Sequence, residues 1–407
     1  MKKSFNLKKS LALVLALGFS ASCLVQVQAG PGPQPPVRQN PIQTVELKIK
    51  KVLNLPSADV KTPEVKFSFT FTKHSYNGET DKTSECPDIT VANSVDYSEA
   101  DTTDGDTKKS GLQLVKTTEN VLKDVTFAKA GQYTYTVTEK QTLADGKQLP
   151  QGLVMSKAEY LVSIFTKTNA ANKVVVDNVY ISQVKKDDGT DGEKKKVGYD
   201  STSDDTNKFE FNNNYDPKAG NDKPSGKEIT EADKKGFVLQ KNVEGEKANE
   251  NEEFTFSLTV TKPEGSHGSD QNFNYKVVDS NGTAGNVSQG AYGTAFTVNL
   301  KKGYRVVLSS VLLGSKVQAE ETVSAGYTKT LATGQCKFNG TAITTVDELK
   351  EGKNIGDKGD NSIIFVNTQQ TPTGILLNSL PFIVLALVAL AGIVFFVKNR
   401  KHDDLEA

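Results

Sequence analysis

Short runs in which apolar and polar residues alternate constrain this chain more than any other feature of its sequence. Such runs occur at residues 45–49, 67–71, 133–137 and 254–258. A period of two places the apolar side chains on one face of a β-strand. Gly-, Asp-, Asn- and Lys-rich segments separate the runs, at 101–110, 185–196 and 262–271 among others. Helical periodicity is limited to a turn or two over 344–351, so the sequence predicts an all-β fold of antiparallel sandwiches.

The pattern occurs in two copies, and in each copy three strands end on a polar residue that shares its face with apolar ones. The first copy has Leu47-x-Ile49-x-Lys51, Tyr135-x-Val137-x-Glu139 and Phe209-x-Phe211-x-Asn213, and the second has Phe237-x-Leu239-x-Lys241, Val317-x-Ala319-x-Glu321 and Ile363-x-Phe365-x-Asn367. Because strand side chains alternate with period two, a Lys, a Glu and an Asn should project into each core. Buried polar groups are costly unless they satisfy one another, so we expect each set to form one cluster.

These three residue types together suggest a reaction. A Lys that is desolvated among aromatic rings loses its proton easily and becomes a nucleophile. A Glu in the same apolar pocket stays protonated and can donate a hydrogen bond to the Asn carboxamide. Attack by the amine would expel ammonia and leave a Lys–Asn isopeptide bond between the first and last strands of a module, without a metal, a cofactor or another enzyme.

The alternative interpretation is that each of these residues has a common structural role and no reactivity. A Lys at a strand end is usually solvated, and an Asn within 212–214 usually belongs to a turn. The repetition of all three types in the same order favours the reactive interpretation. In the second copy Glu320 and Glu321 are both candidates for the acid, and we prefer Glu321 because Val317 and Ala319 share its face.

The two ends of the chain predict export and anchoring. Residues 1–29 have a Lys-rich start, an apolar stretch and a small-residue cleavage site, as in a secretory signal peptide. Residues 375–397 form an apolar run longer than the roughly 20 residues that cross a bilayer. Lys398, Arg400 and Lys401 follow it, which favours a cytoplasmic C-terminus.

The pentapeptide before the second apolar run carries a resemblance. Gln370, Thr371, Pro372, Thr373 and Gly374 precede the span and basic tail, in an order that resembles the sorting signal of Gram-positive sortase substrates. The resemblance implies that a sortase cysteine attacks the carbonyl of Thr373 and releases Gly374 with the membrane segment. The motif departs from Leu-Pro-x-Thr-Gly and is similar to the Glu/Gln-Val-Pro-Thr-Gly variant of some streptococcal pilins, with Thr371 in place of Val.

Together these motifs resemble the major backbone pilins of streptococcal FctA-type pili. The resemblance implies two tandem Ig-like sandwich domains, at 42–215 and 235–368, after a Pro-rich leader at 30–41 and joined by a linker at 216–234, with the sorting signal at 369–407. It also implies bonds Lys51–Asn213 and Lys241–Asn367, with Glu139 and Glu321 as their acids.

A polymerising pilin also needs an acceptor lysine on the next subunit. By position we favour Lys208, and the alternatives are Lys194, Lys195, Lys196 and Lys218. The partners implied are a sortase, other copies of the chain, minor pilins and peptidoglycan. A host receptor is a further candidate partner, and the expected location is the cell wall.

Composition narrows the remaining function classes. The 49 Lys and Arg residues balance 49 Asp and Glu residues, which argues against nucleic acid as a partner. The 3 His residues are isolated, and the acidic clusters at 101–106 and 187–191 lack calcium-loop spacing, so we expect no metal site and interpret these clusters as solvated loops. After signal removal Cys86 and Cys336 remain, one in each module, and we expect buried or free thiols.

Two rival functions remain. A wall-anchored adhesin or minor pilin would carry the same sorting signal without polymerising, and the absence of detergent-resistant ladders would distinguish it. A wall-anchored enzyme is disfavoured because no catalytic set beyond the two buried clusters is evident. We therefore expect a structural protein whose own chemistry is limited to a single turnover at each cluster.

Overall fold

The computed structural model describes residues 45–101, 112–322, 325–369 and 381–393. The predicted all-β class is confirmed, because strands dominate the described residues and their sheets enclose two large hydrophobic cores. The first core is built by residues 47–211, and the second chiefly by residues 237–365. We refer to the strands around these cores as the first and second modules.

The described residues of the first module form ten strands and one short 3-10 helix, Thr80–Glu85. The strands are β1 Lys50–Asn54, β2 Val65–Phe67, β3 Phe69–Tyr76, β4 Val95–Tyr97, β5 Gln113–Thr117, β6 Gly131–Glu139, β7 Leu153–Val154, β8 Glu159–Thr168, β9 Val174–Lys185 and β10 Glu210–Tyr215. One sheet has the order β5-β1-β10-β7 and the other β3-β6-β8-β9, with β2 and β4 paired separately. The first and last strands, β1 and β10, are therefore neighbours, and they run parallel.

The second module repeats this plan with more strands. They are β11 Lys218–Ala219, β12 Phe237–Glu244, β13 Phe254–Thr261, β14 Asn272–Val278, β15 Ser288–Ala291, β16 Phe296–Leu300, β17 Arg305–Ser309, β18 Val311–Leu312, β19 Lys316–Glu321, β20 Tyr327–Leu331, β21 Lys337–Phe338, β22 Thr341–Ala342, β23 Lys353–Asn354 and β24 Ser362–Gln369. One sheet has the order β15-β14-β17-β12-β24-β21-β22, with β20 also paired to β24, and the other β16-β13-β19-β23. Again the core strands nearest the two ends, β12 and β24, are parallel neighbours.

Two predicted strands differ from the observed ones. Residues 45–49 are not a ladder strand although Leu47 and Ile49 are fully buried, because side chains satisfy their backbone: Asn120 Oδ1 accepts from the amide of Leu47, and Thr118 Oγ1 from that of Ile49. The predicted run 67–71 is interrupted at Ser68, so that it belongs partly to β2 and partly to β3. The predicted turn of helix is present as α1, Asp347–Glu351.

The segment 216–234, interpreted from sequence as a linker, lies against the second module. Its strand β11 pairs with β18. The fully buried Arg305 donates hydrogen bonds to the carbonyls of Ser225, Gly226 and Lys227. Asp233, also fully buried, lies 3.5 Å from Arg305 Nε through Oδ2 and accepts a bond from Asn221. The segment is therefore fixed along one sandwich by backbone and side-chain bonds.

The predicted membrane span lies partly outside the described residues. Of 375–397, the structure describes 381–393, which are helical. Within the described ranges, no helix is both long enough and apolar enough to cross a bilayer. The signal peptide, the leader up to residue 44 and the sorting pentapeptide 370–374 also lie outside the described residues.

Candidate functional site: two buried Lys–Glu–Asn clusters

The structure brings Lys51, Glu139 and Asn213 together inside the first module. All three are buried, with 0%, 3% and 0% of their surface exposed. Lys51 Nζ lies 2.9 Å from Glu139 Oε1, and Asn213 Nδ2 donates to the same oxygen over 3.3 Å. One carboxyl oxygen thus contacts both the amine and the carboxamide that the predicted reaction would join. It accepts from the carboxamide, whereas the prediction from sequence was that the Glu donates to it.

The second module brings Lys241, Glu321 and Asn367 together in the same way. Lys241 Nζ lies 3.2 Å from Glu321 Oε1, and Asn367 Nδ2 donates to that oxygen over 2.6 Å. Of the two candidate acids, Glu321 is 2% exposed, whereas Glu320 faces solvent and lies 3.6 Å from Lys350. The alternation along β19 explains this, because adjacent residues of a strand point to opposite faces.

Strand register places each cluster in the same geometry. On the parallel pair β1 and β10, Lys51 is opposite Phe211, two residues before Asn213. On β12 and β24, Lys241 is opposite Phe365, two residues before Asn367. The Glu residues come from the facing sheets, Glu139 at the end of β6 and Glu321 at the end of β19. Each Lys and Asn therefore belong to one sheet, and the acid reaches them across the core.

Each amine lies over the face of an aromatic ring. Lys51 Nζ lies 4.6 Å from the ring centre of Phe67, and Lys241 Nζ lies 4.4 Å from that of Phe254. Burial lowers the pKa of each lysine to about 8, against the opposing influence of its Glu partner. Burial likewise raises the pKa of Glu139. In the first cluster these shifts favour a neutral amine beside a protonated carboxyl group, which is the form that a nucleophilic attack requires.

The first cluster has a contact that the sequence gave no reason to expect. The backbone amide of Ser156 donates to Asn213 Oδ1 over 2.7 Å. Ser156 Oγ in turn donates to Asp187 Oδ1 over 2.6 Å. Asp187 also accepts bonds from the backbone and side-chain nitrogens of Asn212. Asp187 therefore differs from the solvated loop expected for 187–191: it is half-buried and held by these bonds, whereas Asp188 and Asp191 are exposed. The alternation pattern carries no signal for a loop residue that is held by side-chain bonds.

The second cluster differs at the same atoms. Within the part of the chain that the structure describes, Asn367 Oδ1 is buried without a hydrogen-bond partner, and Lys241 Nζ makes no hydrogen bond beside its ion pair with Glu321. Lys329 lies nearby, opposite Asn367 on β20, and its Nζ donates to the backbone carbonyl of Glu321 over 3.0 Å. Its positive charge contributes to lowering the pKa of Lys241, after burial.

The candidate acceptor lysines are placed separately from the clusters. Lys208 is exposed and precedes β10, beside a shallow surface cavity that also touches Lys50 and Glu210. Lys194, Lys195 and Lys196 are exposed in the loop after β9. Lys218, on β11, is only partly exposed and lies 2.8 Å from Asp270.

The two cysteines are apart from both clusters. Cys86 and Cys336 are buried free thiols, as the sequence predicted, and burial raises the pKa of each.

Comparisons with known proteins give distant similarities. A family model described as "Domain of unknown function (DUF7601)" matches residues 235–369. A search of curated proteins finds no significant match. Among solved structures, the major pilin from Streptococcus pyogenes is 17% identical, with 81% of this chain and 100% of that chain covered and a TM-score of 0.34.

Two further structures are similar at the same level. The T3.2 major pilin from Streptococcus pyogenes is 17% identical, with 80% of this chain and 98% of that one covered and a TM-score of 0.32. The pilus-presented adhesin Spy0125 is 16% identical, with 53% and 36% covered and a TM-score of 0.24.

Proposed function

We propose that the chain is the shaft subunit of a covalently polymerised cell-surface pilus, stabilised by isopeptide bonds Lys51–Asn213 and Lys241–Asn367. The observation that carries this proposal is the occurrence, twice in one chain, of a buried Lys and Asn on adjacent parallel strands with both side chains against one Glu oxygen. An isolated buried charge is costly, and two such clusters at matching register are hard to explain as packing alone.

Each bond would join the strands that begin and end the core of a module. Tension applied to the ends of a sandwich would first separate its terminal strands, because β1 and β10, or β12 and β24, are held to each other only by non-covalent contacts, chiefly the backbone hydrogen bonds of their parallel ladders. A covalent bond between them leaves no free segment to peel away. This property suits a subunit that transmits force along a fibre.

Polymerisation would use the sorting pentapeptide. A sortase would cleave between Thr373 and Gly374 and transfer the Thr373 acyl group to a lysine of the next subunit, or finally to peptidoglycan. Lys208 suits the acceptor role because it is exposed, whereas Lys218 is engaged by Asp270.

The first test is the intact mass of residues 30–373 produced without a sortase. The proposal expects a deficit of two ammonia molecules, with crosslinked peptides that contain Asn213 and Asn367. An unmodified mass would overturn the isopeptide mechanism.

The second test is coexpression of the full chain with its sortase. A shaft subunit should give ladders that survive boiling in detergent, and Lys208→Arg should abolish them while Lys218→Arg should not. Monomer alone would favour the alternative of a wall-anchored adhesin or minor pilin.

A further inference from the structure

The two clusters differ at the oxygen of the carboxamide that would react. In the first module the amide of Ser156 lies 2.7 Å from Asn213 Oδ1. This short contact fixes the orientation of the carboxamide, since a backbone N–H must face an acceptor and the Nδ2 group is itself a donor. In the second module Asn367 Oδ1 is buried and has no hydrogen-bond partner among the described residues.

From this difference we propose that the backbone N–H of Ser156 is an oxyanion donor for the first isopeptide bond, and that it makes this bond form faster than the second. The inference rests on the proposed function, because it concerns the rate of the same reaction. It assigns a catalytic contact to a residue outside the Lys–Glu–Asn set.

The chemistry requires a donor at this atom. When the neutral Lys51 amine attacks Cγ of Asn213, the π electrons of the carbonyl move to Oδ1 and a tetrahedral centre forms. Collapse of that centre re-forms the carbonyl, and Nδ2 leaves as ammonia with a proton that passes from the Lys51 nitrogen through Glu139. An N–H already aimed at Oδ1 stabilises the negative charge that develops there, without any reorganisation.

The surrounding residues hold this N–H in place. Residues 155–158 connect β7 to β8, and β7 pairs with β10 beside Asn213. Ser156 Oγ donates to Asp187 Oδ1 over 2.6 Å and accepts from the amide of Ala158 over 3.1 Å. The carbonyl of Ser156 accepts from Gln141 Nε2 over 2.8 Å. Ser156 is itself 1% exposed, so solvent does not compete for the contact.

The direct test removes only the hydrogen-bond donor. The full chain is made by cell-free translation with Ser156 replaced by its α-hydroxy acid, which changes the backbone amide to an ester. Samples are quenched in acid over time, and peptide mapping follows the two crosslinks separately. The rate of the second crosslink, measured in the same molecules, is the internal reference.

The expected result is that the ester slows the first crosslink at least about tenfold relative to the second, because loss of one oxyanion donor costs about 100-fold or more in enzymes. The same replacement at Ser203 is the matched control, since its amide also donates one loop hydrogen bond in the first module, to Asp200. That ester should leave the ratio of the two rates unchanged.

Two side-chain variants test the same contact with an unmodified backbone, in case the ester does not fold. Ser156→Ala keeps the N–H but removes the bonds of Oγ, so it should slow the first crosslink less than the ester does, and Ser156→Thr should restore the rate. An unchanged rate ratio in the Ser156 ester, or a first crosslink no faster than the second in the natural chain, would overturn the inference. Absence of both crosslinks in the natural chain would overturn the proposed function instead.

Discussion

Lys51 and Asn213 lie on adjacent parallel strands, and the register places Asn213 two residues beyond the residue opposite Lys51. Lys241 and Asn367 repeat this relationship on β12 and β24. In both pairs the Phe that lies opposite the Lys packs against a Phe of the facing sheet, with ring centres 5.0 Å apart. The same pocket is thus built twice from different sequences, which leads to the following predictions.

Removing one reactive amide should remove one bond and its stabilisation. Asn213→Ala should reduce the mass deficit to one ammonia molecule. Since the crosslink closes a long loop, its loss should lower the free energy of unfolding of the first module by up to about 5 kcal/mol, by analogy with a disulfide. Intact mass and denaturant unfolding measure both effects. Asn214→Ala, on the next position of β10, is the control and should keep the full deficit.

The adjacent acids of β19 should behave differently. Glu321→Gln should abolish the second crosslink, because it removes the proton carrier that contacts both Lys241 and Asn367. Glu320→Gln should leave the crosslink intact, since that side chain faces solvent and Lys350. Peptide mapping distinguishes the two variants. A crosslink that survives in Glu321→Gln would remove this residue from the reaction.

The uncrosslinked first module should gain stability as the pH rises. In Glu139→Gln the carboxylate no longer supports the Lys51 charge, so burial keeps the pKa of Lys51 at or below about 8, against 10.5 in the unfolded chain. A base whose pKa is lower in the folded state destabilises folding at low pH, because the folded state must either bury the charge or release the proton. This cost falls as the pH rises from the folded pKa to the unfolded pKa, and it is absent above the unfolded pKa. The free energy of unfolding should therefore rise between about pH 8 and pH 10.5.

Denaturant unfolding across this pH range measures that rise. The double variant Glu139→Gln/Lys51→Met is the reference, because other groups titrate in the same window. If the two proteins show the same pH dependence, Lys51 is not the group responsible.

Lys329 should set the pH at which the second bond forms. Its positive charge helps to lower the pKa of Lys241, so Lys329→Met should raise that pKa and move the rate profile of the second crosslink to higher pH. The profile of the first crosslink should not move. Lys316→Met, at an exposed position of β19, is the matched control. Equal profiles in Lys329→Met and the natural chain would exclude this influence.

Much of the fold, and most members of the two clusters, could be predicted from the alternation of apolar and polar residues along each strand. Glu139 and Asn213 each end a run in which buried residues alternate with less buried ones, and alternation alone places a side chain on the inner face of a strand. Lys51 follows Leu47 and Ile49 at the same spacing, although all residues of β1 are buried. The same reasoning separated Glu321 from Glu320. It did not locate the start of β1, because Asn120 and Thr118 satisfy the backbone of the preceding residues from outside any ladder.

The sequence by itself determined which side chains face the cores, because strand geometry fixes the facing of each residue relative to its neighbours in the chain. Only the tertiary structure decided what those side chains meet. The parallel register of β1 with β10, the approach of Ser156 to Asn213 and the pairing of Lys329 opposite Asn367 all join residues far apart in the chain. Such contacts depend on how sheets pair and pack, and no periodic pattern within a single strand encodes them.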